Sequence, residues 1–145
     1  MKHFKRTLTW ILLVFIAAAT LTTLRPRETV FIPNGLCVLF WHAEKRCATC
    51  LKMEKSLRKT LKNHKDFRLV VLEYDVFSNQ SLAKQFDVGT TTIILLERKD
   101  QQNVRIRDLT TEVWINIRNN EAYFENMLQK ELEQFVRVTE REPVN

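Results

Sequence analysis

The strongest constraint on what this chain can fold into is LCVLFWH at 36–42, apolar at every position but the last. The run is too short for an ordinary buried helix, and its lack of alternation means that both sides need cover. It reads as a strand buried on both faces, the situation of an inner strand in an α/β sheet with helices above and below. FRLVVLEYDV at 67–76 and TTTIILLERK at 90–99 are further runs rich in β-branched and aromatic residues. VRIRDL at 104–109 alternates instead, as an edge strand does, after a polar turn at 100–103.

Helical spacing fills the gaps between these runs. From 47 to about 63, Cys50, Met53, Leu57 and Leu61 recur on one face. Lys52, Lys55, Arg58, Lys59, Lys62 and Lys65 belong to the same segment and read as its solvated side. Ser78 or Asn79 is placed to cap a short helix over 79–88. Residues 110–138 are helical, with Trp114, Ile117, Phe124, Met127, Leu128, Leu132 and Phe135 inward and a break at Asn119-Asn120. The predicted order is βαβαββα, a mixed central sheet flanked by helices.

Cys47 and Cys50 fall at the first strand-to-helix junction, and sites in open α/β sheets form beyond strand carboxyl ends. The reactive form of cysteine is the thiolate, favoured at a helix N-terminus, beside cations and within Cys-x-x-Cys. Cys47 is expected in the first helical turn, directly after Lys45 and Arg46, and is the predicted nucleophile. Cys50, one turn deeper, is the resolving thiol. Lys45, Arg46 and His42 are the candidates for activating the thiolate. Cys37, inside the first strand, reads as a small apolar core residue. A structural zinc site needs four ligands, and Cys37 lies too far along the strand from His42 to join one. The alternative functions on the same cysteines are capture of copper(I) or arsenite, which need fewer ligands, and a non-catalytic adaptor role.

The N-terminus reads as an address. Lys2, Lys5 and Arg6 precede an uncharged run at 7–24. As a helix that run is about 27 Å long, close to a hydrocarbon core of roughly 30 Å. Basic residues before such a run hold the N-terminus in the cytoplasm and send the remainder across. The expectation is a single-pass anchor with the domain on the periplasmic or extracytoplasmic side. The alternative is a signal peptide cut after Ala17-Ala18-Ala19, which would leave a soluble periplasmic protein. Either placement suits lasting disulfides. The predicted organisation is an anchor or signal at 1–24, a linker at 25–35, one domain at 36–138 and a tail at 139–145.

Composition narrows the remaining classes. Only 2 glycines and 3 prolines occur, which argues against Gly-rich phosphate loops and disorder. Three cysteines are too few for a disulfide framework. The net charge of +6 comes largely from the N-terminal cluster and the helical lysine stripe, with no nucleic-acid reader motif. No dinucleotide fingerprint is present, and no cofactor is expected. The expected partner is a protein thiol or disulfide.

The stretch VLFWH…RCATCLKME resembles the active-site region of thioredoxin-like proteins, with Phe40-Trp41 on the strand before the dithiol. More narrowly, aromatic-His, a short loop, RCATC and a basic amphipathic helix are similar to a small exported family described as a nitrophenyl-compound nitroreductase subunit. RDLTTEVWINIRNNEAYFENMLQKEL resembles that family's C-terminal pattern. The resemblance covers roughly 36–136 and implies a thioredoxin-like fold and thiol–disulfide chemistry. Two departures stand out. Thioredoxins place a cis-proline opposite the dithiol, where VGTTTIILL puts Thr91 or Thr92, so a trans peptide is expected there. The buried acid of their first strand is replaced by Leu39, leaving His42 and Glu44 as candidates for proton transfer.

Overall fold

The computed structural model describes residues 10, 14–16 and 30–141, with the side chains of 119 and 139–141 excepted. Strand β1 (Gly35–His42) leads through helix α1 (Ala48–Leu61) to β2 (Phe67–Glu73). A 3-10 turn (Phe77–Asn79) opens helix α2 (Gln80–Gln85). Strands β3 (Thr92–Lys99) and β4 (Gln102–Asp108) then precede helices α3 (Thr110–Asn119) and α4 (Glu121–Arg141).

The sheet order is β2-β1-β3-β4, with β1 parallel to β2 and the other two pairs antiparallel. This is the α/β thioredoxin-like arrangement with a mixed sheet. The inner place of β1 explains its unbroken apolar run, because period-two alternation sends successive residues to opposite faces and both are covered. Val38 and Phe40 join a core with Ile93, Leu95, Met53, Leu57 and residues of α3 and α4. Cys37, Leu39 and Trp41 join a second core with Ile94, Leu96, Leu72, Ala83, Phe86 and Ile32.

Several boundaries differ from the sequence expectation, each for a definite physical reason. Strand β2 stops at Glu73 rather than 76 because its partner β1 stops at His42, the residue paired with Glu73. Asn79 holds the N-cap position of α2 as expected, but its side chain makes no capping bond and its amide donates to the Glu73 carbonyl at 2.9 Å. Strand β4 begins at Gln102 because the hairpin turn needs only Asp100 and Gln101, both with positive φ (50° and 65°). Positive φ at both central residues matches the right-handed twist of the paired strands. The break between the last two helices falls where expected, at Asn120, whose Oδ1 accepts the Tyr123 N–H at 2.9 Å.

The anchor or signal expected at 7–24 lies outside the described residues, apart from Trp10 and residues 14–16, which are helical and exposed. Among the described residues, no helix is long and apolar enough to cross a membrane. The described end of the expected linker is tied to the sheet. Ile32 is buried, its carbonyl accepts from Arg98 at 2.7 Å, and Asn34 Oδ1 accepts the Gln101 N–H at 3.1 Å. Gly35 then turns into β1 at φ 102°, a region that favours glycine.

Candidate active site at the Cys47–Cys50 dithiol

Helix α1 positions the two sulfurs differently. Cys47 is the N-cap residue, one position before the first turn in which it was expected, and it is exposed. Its extended backbone lets Sγ accept the Cys50 N–H at 3.2 Å. Cys50, within the first turn, is buried. The thiols are free, and their sulfurs lie 2.6 Å apart. A small movement reaches the disulfide bond length of about 2.05 Å.

The Cys47 thiol is held below its ordinary range, first by the Cys50 thiol donating to it and then by the Cys50 backbone N–H. The Thr49 and Cys47 N–H groups add to this, against a small opposing effect of burial. The first turn of α1 carries no acidic residue, so its free N–H ends and dipole act on the sulfur alone. Lys45 and Arg46 stand before Cys47 in the loop over 43–46.

Arg46 has other partners. One guanidinium nitrogen pairs with Glu54 and the other donates to His42 Nε2 at 2.8 Å. Glu54 also accepts from Arg58 at 2.7 and 2.9 Å, so two guanidinium groups clasp it. His42 is buried on the Phe40 face of β1, with Nδ1 placed 2.7 Å from the Ala43 carbonyl. A carbonyl can only accept and a guanidinium only donate, which assigns the Nδ1–H tautomer. Both ring nitrogens are thus engaged away from the sulfurs, and His42 acts here as a strut for the loop over 43–46. The Glu44 N–H ties the same loop to Asp75 at 2.8 Å, while Glu44 itself is exposed. Lys45 is exposed.

The two threonines expected opposite the dithiol part company. Thr91 Oγ1 lies 3.4 Å from Cys50 Sγ in a buried contact. Thr92 belongs to a separate knot, its hydroxyl meeting Asp108 and Thr110 where β4 passes into α3. No cis peptide bond occurs among the described residues. Trp114 of α3 braces the groove, its indole N–H donating to the Thr91 carbonyl at 2.9 Å.

Sequence reading missed Trp114, Glu54 and Tyr74. Trp114 carried only a helical-face signal. Glu54 stood out as the one acid in a basic helix, four residues before Arg58. Tyr74, just past β2 and packed against the second core, has its phenol pushed up first by burial, then by Asp75 and by the charges of Cys50 and Cys47. Its sequence position resembles any strand end.

Cys37 is fully buried in the second core, its thiol donating to the Pro33 carbonyl at 3.4 Å. Burial pushes it up against the lowering effects of Arg68 and Arg98. It points to the face of β1 opposite His42. Among the described residues, no group of three or more His, Cys, Asp or Glu is arranged to hold a metal ion.

These environments predict a sharp difference in alkylation. Cys47 in the reduced protein is expected to react with iodoacetamide down to a lower pH than the same residue in urea. Cys37 should react only after unfolding. Rate against pH, read by mass spectrometry of each cysteine peptide, checks both, and coincident profiles for folded and unfolded Cys47 would refute the activation. By linkage, a lowered thiol stabilises the reduced fold above the unfolded cysteine pKa. That contribution is lost as pH falls through the folded value.

No family model matches the chain, and no curated protein matches it. Similar solved structures are thioredoxins and thioredoxin-like proteins. Mitochondrial thioredoxin 3 from Saccharomyces cerevisiae is 21% identical, covering 70% of this chain and 79% of that one, with a TM-score of 0.47. Fasciola hepatica thioredoxin is 14% identical over 70% and 81%, with a TM-score of 0.47. Trxlp from Edwardsiella tarda is 18% identical over 79% and 91%, with a TM-score of 0.46. Scores of this size mark a partial likeness. The fold rests on the strand order and register above, and the narrower resemblance to the nitroreductase-subunit family rests on its sequence motif alone.

Proposed function

We propose that this chain is an exported, membrane-associated thiol–disulfide oxidoreductase acting on a protein partner. The observation that carries the chemistry is the asymmetry of the dithiol: an exposed, acidified Cys47 at a helix N-cap, touching a buried Cys50. The Cys47 thiolate attacks a partner disulfide, forming Cys47–S–S–R and releasing the first partner thiolate, which takes up a proton. Cys50 then loses its proton and attacks Cys47 Sγ. The Cys47–partner bond breaks, the second partner sulfur leaves with the proton, and Cys47–Cys50 becomes the oxidised form. Two electrons pass from the dithiol to the partner, and the same steps in reverse oxidise a partner dithiol. The basic cluster at 2–6 and the uncharged run at 7–24 support the export and the membrane association.

Trapping in cells tests the proposal. Cys50→Ser retains the attacking sulfur but lacks the resolving one, so it is expected to accumulate as an adduct with an exported protein. Dithiothreitol should release the adduct. If Cys50→Ser forms no thiol-reversible adduct in cells where the wild-type chain is expressed and folded, the proposal fails.

A further inference from the structure

Closure of the mixed disulfide needs Cys50 to give up its proton and aim at Cys47, and Leu39 of β1, apolar and fully buried in the second core, supplies no acid for it. His42 is engaged at both ring nitrogens. Glu44 is exposed, and the Thr92 hydroxyl is held by Asp108 and Thr110. The hydroxyl that reaches the resolving sulfur is that of Thr91, 3.4 Å away, on a residue only 4% exposed. This residue is pinned from its other side, where its carbonyl accepts the Trp114 indole N–H at 2.9 Å. Its hydroxyl is therefore presented to Cys50 from the residue just before β3, braced by α3.

We propose that the Thr91 hydroxyl is the positioning group for the resolving thiol, accepting the Cys50 S–H once Cys47 is tied up in the mixed disulfide and donating to the Cys50 sulfur as it attacks. A hydroxyl serves both stages because it is donor and acceptor at once and turns about its own C–O bond. An ionised carboxylate could only accept, and a methyl could do neither. The step balances without a further reagent. Cys50–SH and Cys47–S–S–R become Cys47–S–S–Cys50 and R–SH, and the proton of Cys50 ends on the leaving sulfur. Thr91 keeps its own proton throughout. This role rests on the exchange reading of the site, and it concerns the second half of the reaction alone.

Stopped-flow reaction of the full-length reduced protein with dithiobis(nitrobenzoate) separates the halves. Attack by Cys47 releases one coloured thiolate, and closure by Cys50 releases the second. Thr91→Val keeps the shape and removes the hydroxyl. It is expected to slow the second phase about tenfold, the size of a lost hydrogen bond to a charged group. The first phase should keep its wild-type rate. Thr91→Ser restores the hydroxyl and should restore closure, which a purely steric role would not require. Cys37 reports folding internally, since it stays unreactive while the second core is intact. Should Thr91→Val unfold, Thr91→Ala gives the same comparison. Closure at the wild-type rate without the hydroxyl overturns the proposal. So does a failure of Thr91→Ser to rescue. A wild-type protein that shows both phases but reduces no protein disulfide would sink the oxidoreductase reading and leave the Thr91 role standing.

Discussion

Cys47→Ser is expected to reduce disulfide exchange to the uncatalysed background, a fall on the order of a thousandfold or more. Both steps pass through this sulfur, and no other residue can take its place. Cys50 is buried behind it, and Cys37 lies in the second core with its thiol pushed up by burial. A serine hydroxyl at the N-cap would still accept the helix N–H, so the fold should survive. Reduction of a protein disulfide such as that of insulin, followed by turbidity, measures the loss. Cys50→Ser should behave differently, retaining the first attack and stalling at the mixed disulfide. Cys47→Ser should in addition abolish the adducts that Cys50→Ser accumulates in the double variant. Residual exchange in Cys47→Ser above background would mean that another thiol is the nucleophile.

Phe124→Ala is expected to cost about 3–5 kcal/mol of stability. Phe124 is fully buried near the start of α4, in the core that also holds Phe40, Leu95, Val113, Ile117 and Leu128. Removing its ring leaves a cavity between two helices and a sheet, and elements pinned on three sides relax little into such a space. A loss of this size is a large part of the roughly 5–15 kcal/mol that holds an ordinary domain together. Urea unfolding followed by tryptophan fluorescence measures it through the transition midpoint. Under native conditions the alkylation profile of Cys47 should stay unchanged, because the dithiol is shaped by α1 and the loop before it. A cost below about 1 kcal/mol would show that the α4 side of the core is not closed as described.

Most of the fold was legible from period and punctuation. The run at 36–42 demanded an inner strand, the face Cys50-Met53-Leu57 demanded an amphipathic helix, and Asn119-Asn120 marked the break before α4. Each of these signals is local, carried by neighbours within a few residues. The errors were local too, and arose where a distant partner decided the outcome. Strand β2 ended where β1 ran out, and Asn79 turned from helix α2 to the Glu73 carbonyl.

The site divides in the same way. Sequence alone determined that two cysteines stand at a strand-to-helix junction, that Cys47 comes first and that Cys50 lies one turn inward. Spacing and helix geometry suffice for that. Only the tertiary structure decided what meets them. It sent Arg46 to Glu54 and His42, put Thr91 but not Thr92 against Cys50, and brought Trp114 to the groove. Those contacts depend on the register of β1 against β2 and β3 and on the way α3 packs against the sheet. A one-residue shift in register would exchange the faces on which Thr91 and Thr92 lie, and no local pattern in GTTT distinguishes them.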